Sequence, residues 1–117
     1  MEPLRSRTVL HIVDGLRGVW HGGPAAFTPE FFWYPKFLQF GTDPVAIDRL
    51  LVDTIENKRR AMGAVSLYDR NPRSLGNTRA DRKVLVRYRE PGHVDFAAGL
   101  GLGIAERDKI QVRRLYV

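Results

Sequence analysis

The chain has 117 residues, a net charge of +6 and no cysteine. That length bounds it to one domain at most. Without thiols it holds no disulfide, no thiolate zinc site and no cysteine-ligated iron–sulfur cluster. No apolar run approaches the roughly 18 residues of a membrane span. The opening MEPLRSRTVLHIVDG has neither the apolar region nor the cleavage site of a signal peptide, and the compartment is left open.

TVLHIVD, residues 8–14, is rich in β-branched residues and ends at Gly15. It predicts a strand that is apolar on both alternating faces and therefore buried. GLRGVWHGGP follows, and its glycines and proline make it a loop. The aromatic stretch AAFTPEFFWYPKFLQF comes next. Pro29 and Pro35 forbid a long helix through it, so it predicts a packed loop followed by a strand over 36–41. Its rings either fill the core or wall a ligand pocket.

Thr42 or Asp43 caps a long helix over 43–62, with Pro44 in the first turn and Gly63 as its stop. Arg49 with Asp53, and Glu56 with Arg60, are spaced as i,i+4 pairs on the solvent side. At 100° per residue an apolar arc centres on Leu51 and includes Ile47, Ile55 and Val52. Asp48 falls inside that arc. A buried carboxylate needs a partner, which could be a cationic side chain, backbone amides, a metal or a ligand.

The turn-rich connection after the helix runs into KVLVRYRE, residues 83–90, which predicts an extended segment. Much of the positive charge lies in this connection. Its arginines are scattered among turn residues and its aromatics are sparse, which argues for a solvated basic loop over a nucleic-acid surface. PGHVDFAAGLGLG predicts a short helix over 92–98 ended by Gly99, with GLGLG as cap and turn. Those glycines follow a helix, whereas a dinucleotide fingerprint follows a strand. DKIQVRRLYV, residues 108–117, alternates as a closing strand with Ile110 and Val112 on one face. Strands alternating with helices predict an α/β layer architecture, either a small domain or a half-domain.

Candidate chemistry gathers at the strand ends. If the first two strands are parallel neighbours, Asp14, Thr42 and Asp43 converge at one edge, where α/β crevices lie. The loop of His21, Gly22, Gly23 and Pro24 would then cover them. Asp14, His21 and Asp43 are the candidate metal ligands. Asp14, His21, Asp43 and Asp48 are the candidate proton-transfer or ligand-binding groups, and Gly22, Gly23, Pro24, Thr42 and Asp43 the candidate ligand-binding set. No metal-binding spacing such as HExxH, no Walker sequence and no GxSxG elbow is present. Asp43 alternatively serves as a helix cap, and His21 as an ordinary loop histidine.

The ordered set VDGLRG, GGP, an aromatic stretch, TDPVAID opening a helix, GLGLG and DKIQV resembles the C-terminal half of the domain of unknown function 362 family. The resemblance implies an α/β domain whose N-terminal part lies upstream of Thr8. It carries Asp14, Gly22, Gly23, Pro24, Asp43, Pro44 and Asp48 over as motif positions. The family has no established general reaction. Some members sit beside ferredoxin-type modules and some are exported. A half-domain would present an open sheet edge and associate with its missing N-terminal portion or with a second copy. Three functions are therefore expected in competition. The first is binding of a small anionic or metal-chelated ligand, in a redox-linked enzyme. The second is a non-enzymatic module docking nucleic acid or an acidic partner. The third is a structural half inactive alone.

Overall fold

The computed structural model describes residues 6–23, 28–74, 76–84 and 91–117. They form a small α/β arrangement. Strands β1 (His11–Gly15) and β4 (Phe37–Gly41) make one two-stranded sheet. Strands β2 (Gly18–Val19) and β3 (Phe32–Trp33) make another. Helix α1 spans Pro44–Ala61, α2 Arg79–Lys83 and α3 Gly92–Gly99. Short 3-10 turns occupy Pro29–Phe31, Pro72–Ser74 and Arg107–Lys109.

The strands of the first sheet are antiparallel, not parallel. His11 lies opposite Gly41, Ile12 opposite Phe40, Asp14 opposite Leu38 and Gly15 opposite Phe37. The strand also starts at His11 and not at Thr8, and it is buried on one face only. Val13 and Phe37 turn toward α1, while Ile12 (62% exposed), Leu38 (57%) and Phe40 (60%) face outward. A ribbon with one layer behind it can cover only one of its two alternating faces.

Helix α1 follows its sequence signals closely. Asp43 is the N-cap, its side chain accepting from the Ala46 N–H at 3.0 Å, and Pro44 occupies the first turn. Met62 is the C-cap, and Gly63 follows in the left-handed region at φ 66°, which stops the helix. The buried strip differs from the predicted arc. Val45, Ile47, Val52, Glu56 and Arg59 are buried, whereas Leu51 and Ile55 are only partly so. The strip has turned by roughly 100° toward Glu56 and Arg59. The cause is packing on a second side of the helix by the 64–67 turn and α3.

Two apolar clusters form around α1. Val45 and Val52 pack with Val94 and Ala105, joined by Leu67, Ala97 and Ala98. Trp20, Phe31 and Ala80 make the other, joined by Val19, Trp33, Ala64 and Val84. Helix α2 has no counterpart in the predicted elements. Thr78 caps it, accepting from the Asp81 N–H at 3.2 Å. Lys83 closes this helix, so it does not begin an extended segment; residues 85–90 lie outside the described residues. The closing strand is corrected too. Residues 110–117 have no strand pairing among the described residues, and Gln111–Val117 are exposed.

Candidate functional site

The antiparallel pairing separates the predicted site residues. Asp14 stands at the β1 end beside Leu38, while Asp43 follows Gly41 at the opposite end of the ribbon. Their convergence required parallel strands and does not occur. His21 joins neither. It is 3% exposed, inside the second apolar cluster between Trp20 and Phe31. Its ring is held at both nitrogens. Nδ1 lies 2.9 Å from Arg59 Nη1, and Nε2 lies 2.7 Å from the Val84 carbonyl oxygen. A guanidinium only donates, so Nδ1 accepts and the ring proton sits on Nε2, donating to Val84. Asp81 Oδ1 stands 3.8 Å from the same Nε2. Among the described residues, no group of acidic and histidine side chains is placed to hold a metal ion.

Arg59 organises this buried cluster. Its Nε and Nη2 donate to the Val65 carbonyl at 3.2 and 2.6 Å, and Nη1 donates to Trp20 O at 3.2 Å. One side chain thus ties the last turns of α1 to the 20–21 loop and to the 64–65 turn. Glu56, one turn earlier, accepts from the Leu67 N–H at 2.9 Å. The apolar pattern places Glu56 on the solvent side and does not single out Arg59. The signal that could have found Arg59 is its spacing from Val52 and Glu56, at i+7 and i+3 on one face.

Asp43 is a cap and also a clasp. Its Oδ1 accepts from Ala46 N and its Oδ2 from the Ile104 N–H at 2.9 Å, across 61 residues. Gly103 makes that approach possible. A Cβ there would collide with Asp43 Oδ1 and come within 2.8 Å of the Val45 Cβ. The GLGLG turn is therefore a strap over the start of α1. Thr42 is exposed beside it. Asp48 is not buried. Its side chain is 52% exposed and lies 3.8 Å from His93 Nε2 at the start of α3. The arc edge at this level meets only the end of a neighbouring helix, so water covers the carboxylate. Gly22 and Gly23 lie near His21, and Pro24 falls outside the described residues.

A cleft of about 120 Å³ opens at the carboxyl end of β1, between the ribbon and α1. Trp33, Phe37, Leu51 and Ile55 line it, with Thr54 and Arg17 as polar neighbours. Gly15 and Gly18 shape it. A Cβ at Gly15 would fall 2.5 Å from the Phe37 ring, and one at Gly18 2.8 Å from Trp33 Nε1. Bare backbone lets the Phe37 ring lie against β1 and the Nε1 edge of Trp33 approach β2. Cations flank the mouth. The Arg17 guanidinium sits 5.1 Å from the Phe32 centroid and Lys58 Nζ 5.8 Å from the Trp33 centroid. Asp14 also borders the cleft, and its carboxylate is occupied in accepting from the Leu16 N–H at 2.8 Å.

Part of the predicted basic surface is engaged locally. Arg82 donates to Asn77 O at 3.1 Å, and Lys83 pairs with Glu30. Among the described residues, no helix is long and apolar enough to cross a membrane. Comparison with family models, with curated proteins and with solved structures finds no match to this chain.

Proposed function

We propose that the chain binds a small ligand with an apolar body and an anionic group, in the cleft at the carboxyl end of β1. The observation that carries this reading is an apolar cleft with cations at its mouth. Pockets for small molecules combine an apolar lining with a few placed polar groups. The volume matches in scale the roughly 150 Å³ cavity that admits benzene, so one ring or one short branched chain fits. Trp33, Phe37, Leu51 and Ile55 would hold the body. Arg17 and Lys58 would meet the anionic group, while the Thr54 hydroxyl stays committed to the Leu50 carbonyl at 2.8 Å. The reading is one of binding; no bond-making step is assigned to any side chain.

The resemblance to the C-terminal half of the domain of unknown function 362 family belongs with this proposal. It draws support from the contact between two of its stretches, TDPVAID and GLGLG, at Asp43 and Ile104. In that setting Asp43 and Gly103 would brace the helix that forms the cleft's floor.

Benzoate is a suitable probe. Titrated into the isotopically labelled chain, it should shift the Trp33 indole N–H and the Gly15 and Gly18 amides along one saturable curve. Arg17→Gln should weaken benzoate severalfold and leave benzyl alcohol unchanged. Absence of saturation at millimolar benzoate, or equal weakening of both probes, would overturn the reading.

A further inference from the structure

β1 pairs with β4, and its other edge, over His11–Gly15, carries no strand neighbour among the described residues. Such an edge is ordinarily blunted by lysine, proline or a bulge. Here Asp14 is the single charged residue between His11 and Gly15. On the same outer face lie Leu10, Ile12 and Leu16, all exposed. Residues 110–117 are extended in sequence pattern and have no strand pairing among the described residues. Leu115 and Tyr116 are among its most exposed side chains.

The two segments match each other. Set Arg114 opposite Asp14 in a parallel alignment. Ile110 then falls beside Leu10, Val112 beside Ile12 and Tyr116 beside Leu16. Apolar residues meet apolar residues and the one acid meets a base, which is what cross-strand pairs favour. An antiparallel alignment through the same ion pair still sets Tyr116 beside Ile12 and Val112 beside Leu16. The β4 edge offers no equivalent, because Leu38 and Phe40 flank the neutral Gln39.

We propose that 110–117 of one copy adds to the β1 edge of a second copy, and that the reciprocal exchange closes a symmetric dimer. The occupant of the open edge is thus a second copy of this chain. Strand addition supplies backbone hydrogen bonds, and the Asp14–Arg114 pair sets the register. Reciprocal exchange buries both segments twice over and leaves no further edge of this kind, so the assembly stops at two. Charge favours it as well. The chain as a whole repels its copy at +6, yet β1 carries one acid, Asp14, and the tail two bases, Arg113 and Arg114. This proposal does not rest on the ligand reading, since the cleft lies on the opposite face of the ribbon.

The test is light scattering on the full chain over a hundredfold concentration series, with three variants. The wild type should approach twice the 13.3 kDa of one chain. Arg114→Glu and Asp14→Arg should each weaken association about tenfold, since each places like charges opposite at two symmetry-related points. The double variant Asp14→Arg with Arg114→Glu should restore it. Residue 114 is exposed, so Arg114→Glu keeps the wild-type circular dichroism and melting curve at dilutions where both chains are monomers. A mass of one chain at every concentration would overturn the proposal. So would single reversals without effect, a double variant that fails to recover, or a mass that keeps growing beyond two chains.

Discussion

Replacing Gly103 by alanine tests the clasp at the start of α1. The added Cβ has no room, because Asp43 Oδ1 and the Val45 Cβ occupy its place. The exposed side of this contact is the carboxylate, so Asp43 moves first. Two hydrogen bonds go with it. Losing the N-cap to Ala46 costs about 1 kcal/mol. Losing the bond from Ile104 N–H to a charged acceptor costs about 1.5 kcal/mol, the low end for such bonds because this one is near solvent. Residual crowding against Val45 adds about 1 kcal/mol. The expected destabilisation is therefore about 3.5 kcal/mol, read as a lowered urea midpoint at unchanged slope. Gly99→Ala is the control, since open space surrounds that position; it should stay within about 0.5 kcal/mol. The cycle with Asp43→Ala sharpens the test. Once the carboxylate is gone, Gly103→Ala should cost at least about 1 kcal/mol less than in the wild type. Strict additivity, or a Gly103→Ala variant as stable as the wild type, would refute the clasp.

Arg59→Met keeps much of the aliphatic stem but leaves Trp20 O, Val65 O and His21 Nδ1 without this donor, and should destabilise by about 3–5 kcal/mol in the same urea assay. Glu56→Ala should cost about 1–3 kcal/mol through the lost Leu67 bond, while Glu56→Gln, which can still accept, should cost less. Nitrogen shifts of His21 should show the proton on Nε2, and Arg59→Met should leave it there because the Val84 carbonyl still accepts it. Desolvation holds the Tyr68 hydroxyl above its usual 10.0, with Arg49 opposing. A raised value means the folded state keeps its proton longer, so this contribution is present below pH 10.0 and lost as pH rises through the folded value. Backbone amides and Lys109 hold Glu106 below 4.5, so its contribution is present above pH 4.5 and lost as pH falls. Ultraviolet titration of the phenol and carboxyl carbon shifts of Glu106 check both directions.

The long helix was legible because its signals are local. Asp43, Pro44 and Gly63 each act within one turn of their own position, whatever the rest of the chain does. The short helix at 92–99 and the GLGLG turn were legible for the same reason. Strand pairing is not local, and TVLHIVD reads alike whether its neighbour runs parallel or antiparallel. That one ambiguity decided where Asp14 and Asp43 would stand. Helix-face burial failed in a related way. Apolar spacing centred the strip on Leu51, but Arg59 and Glu56 are buried because carbonyl and amide groups from distant turns reach them. A pattern of hydrophobicity has no term for such partners. Asp48 is the converse case, where a carboxylate on an apolar face stays wet because no element covers that level. Helix α2 carried a usable sign in Thr78-x-x-Asp81, obscured by the surrounding arginines and turn residues.

Beyond the Asp43 clasp at its very start, α1 is fastened along its length by different forces. Val45 and Val52 hold the first half by apolar contact, while Arg59 holds the last turn to the Trp20 cluster by hydrogen bonds. Apolar attachment weakens on cooling, and donor–acceptor bonds in a buried setting do not share that dependence. The valine contacts in its first half therefore loosen in the cold more than the hydrogen bonds of Asp43 and Arg59 at its two tips. Which end of α1 frees its amides to exchange first should depend on the temperature of the measurement.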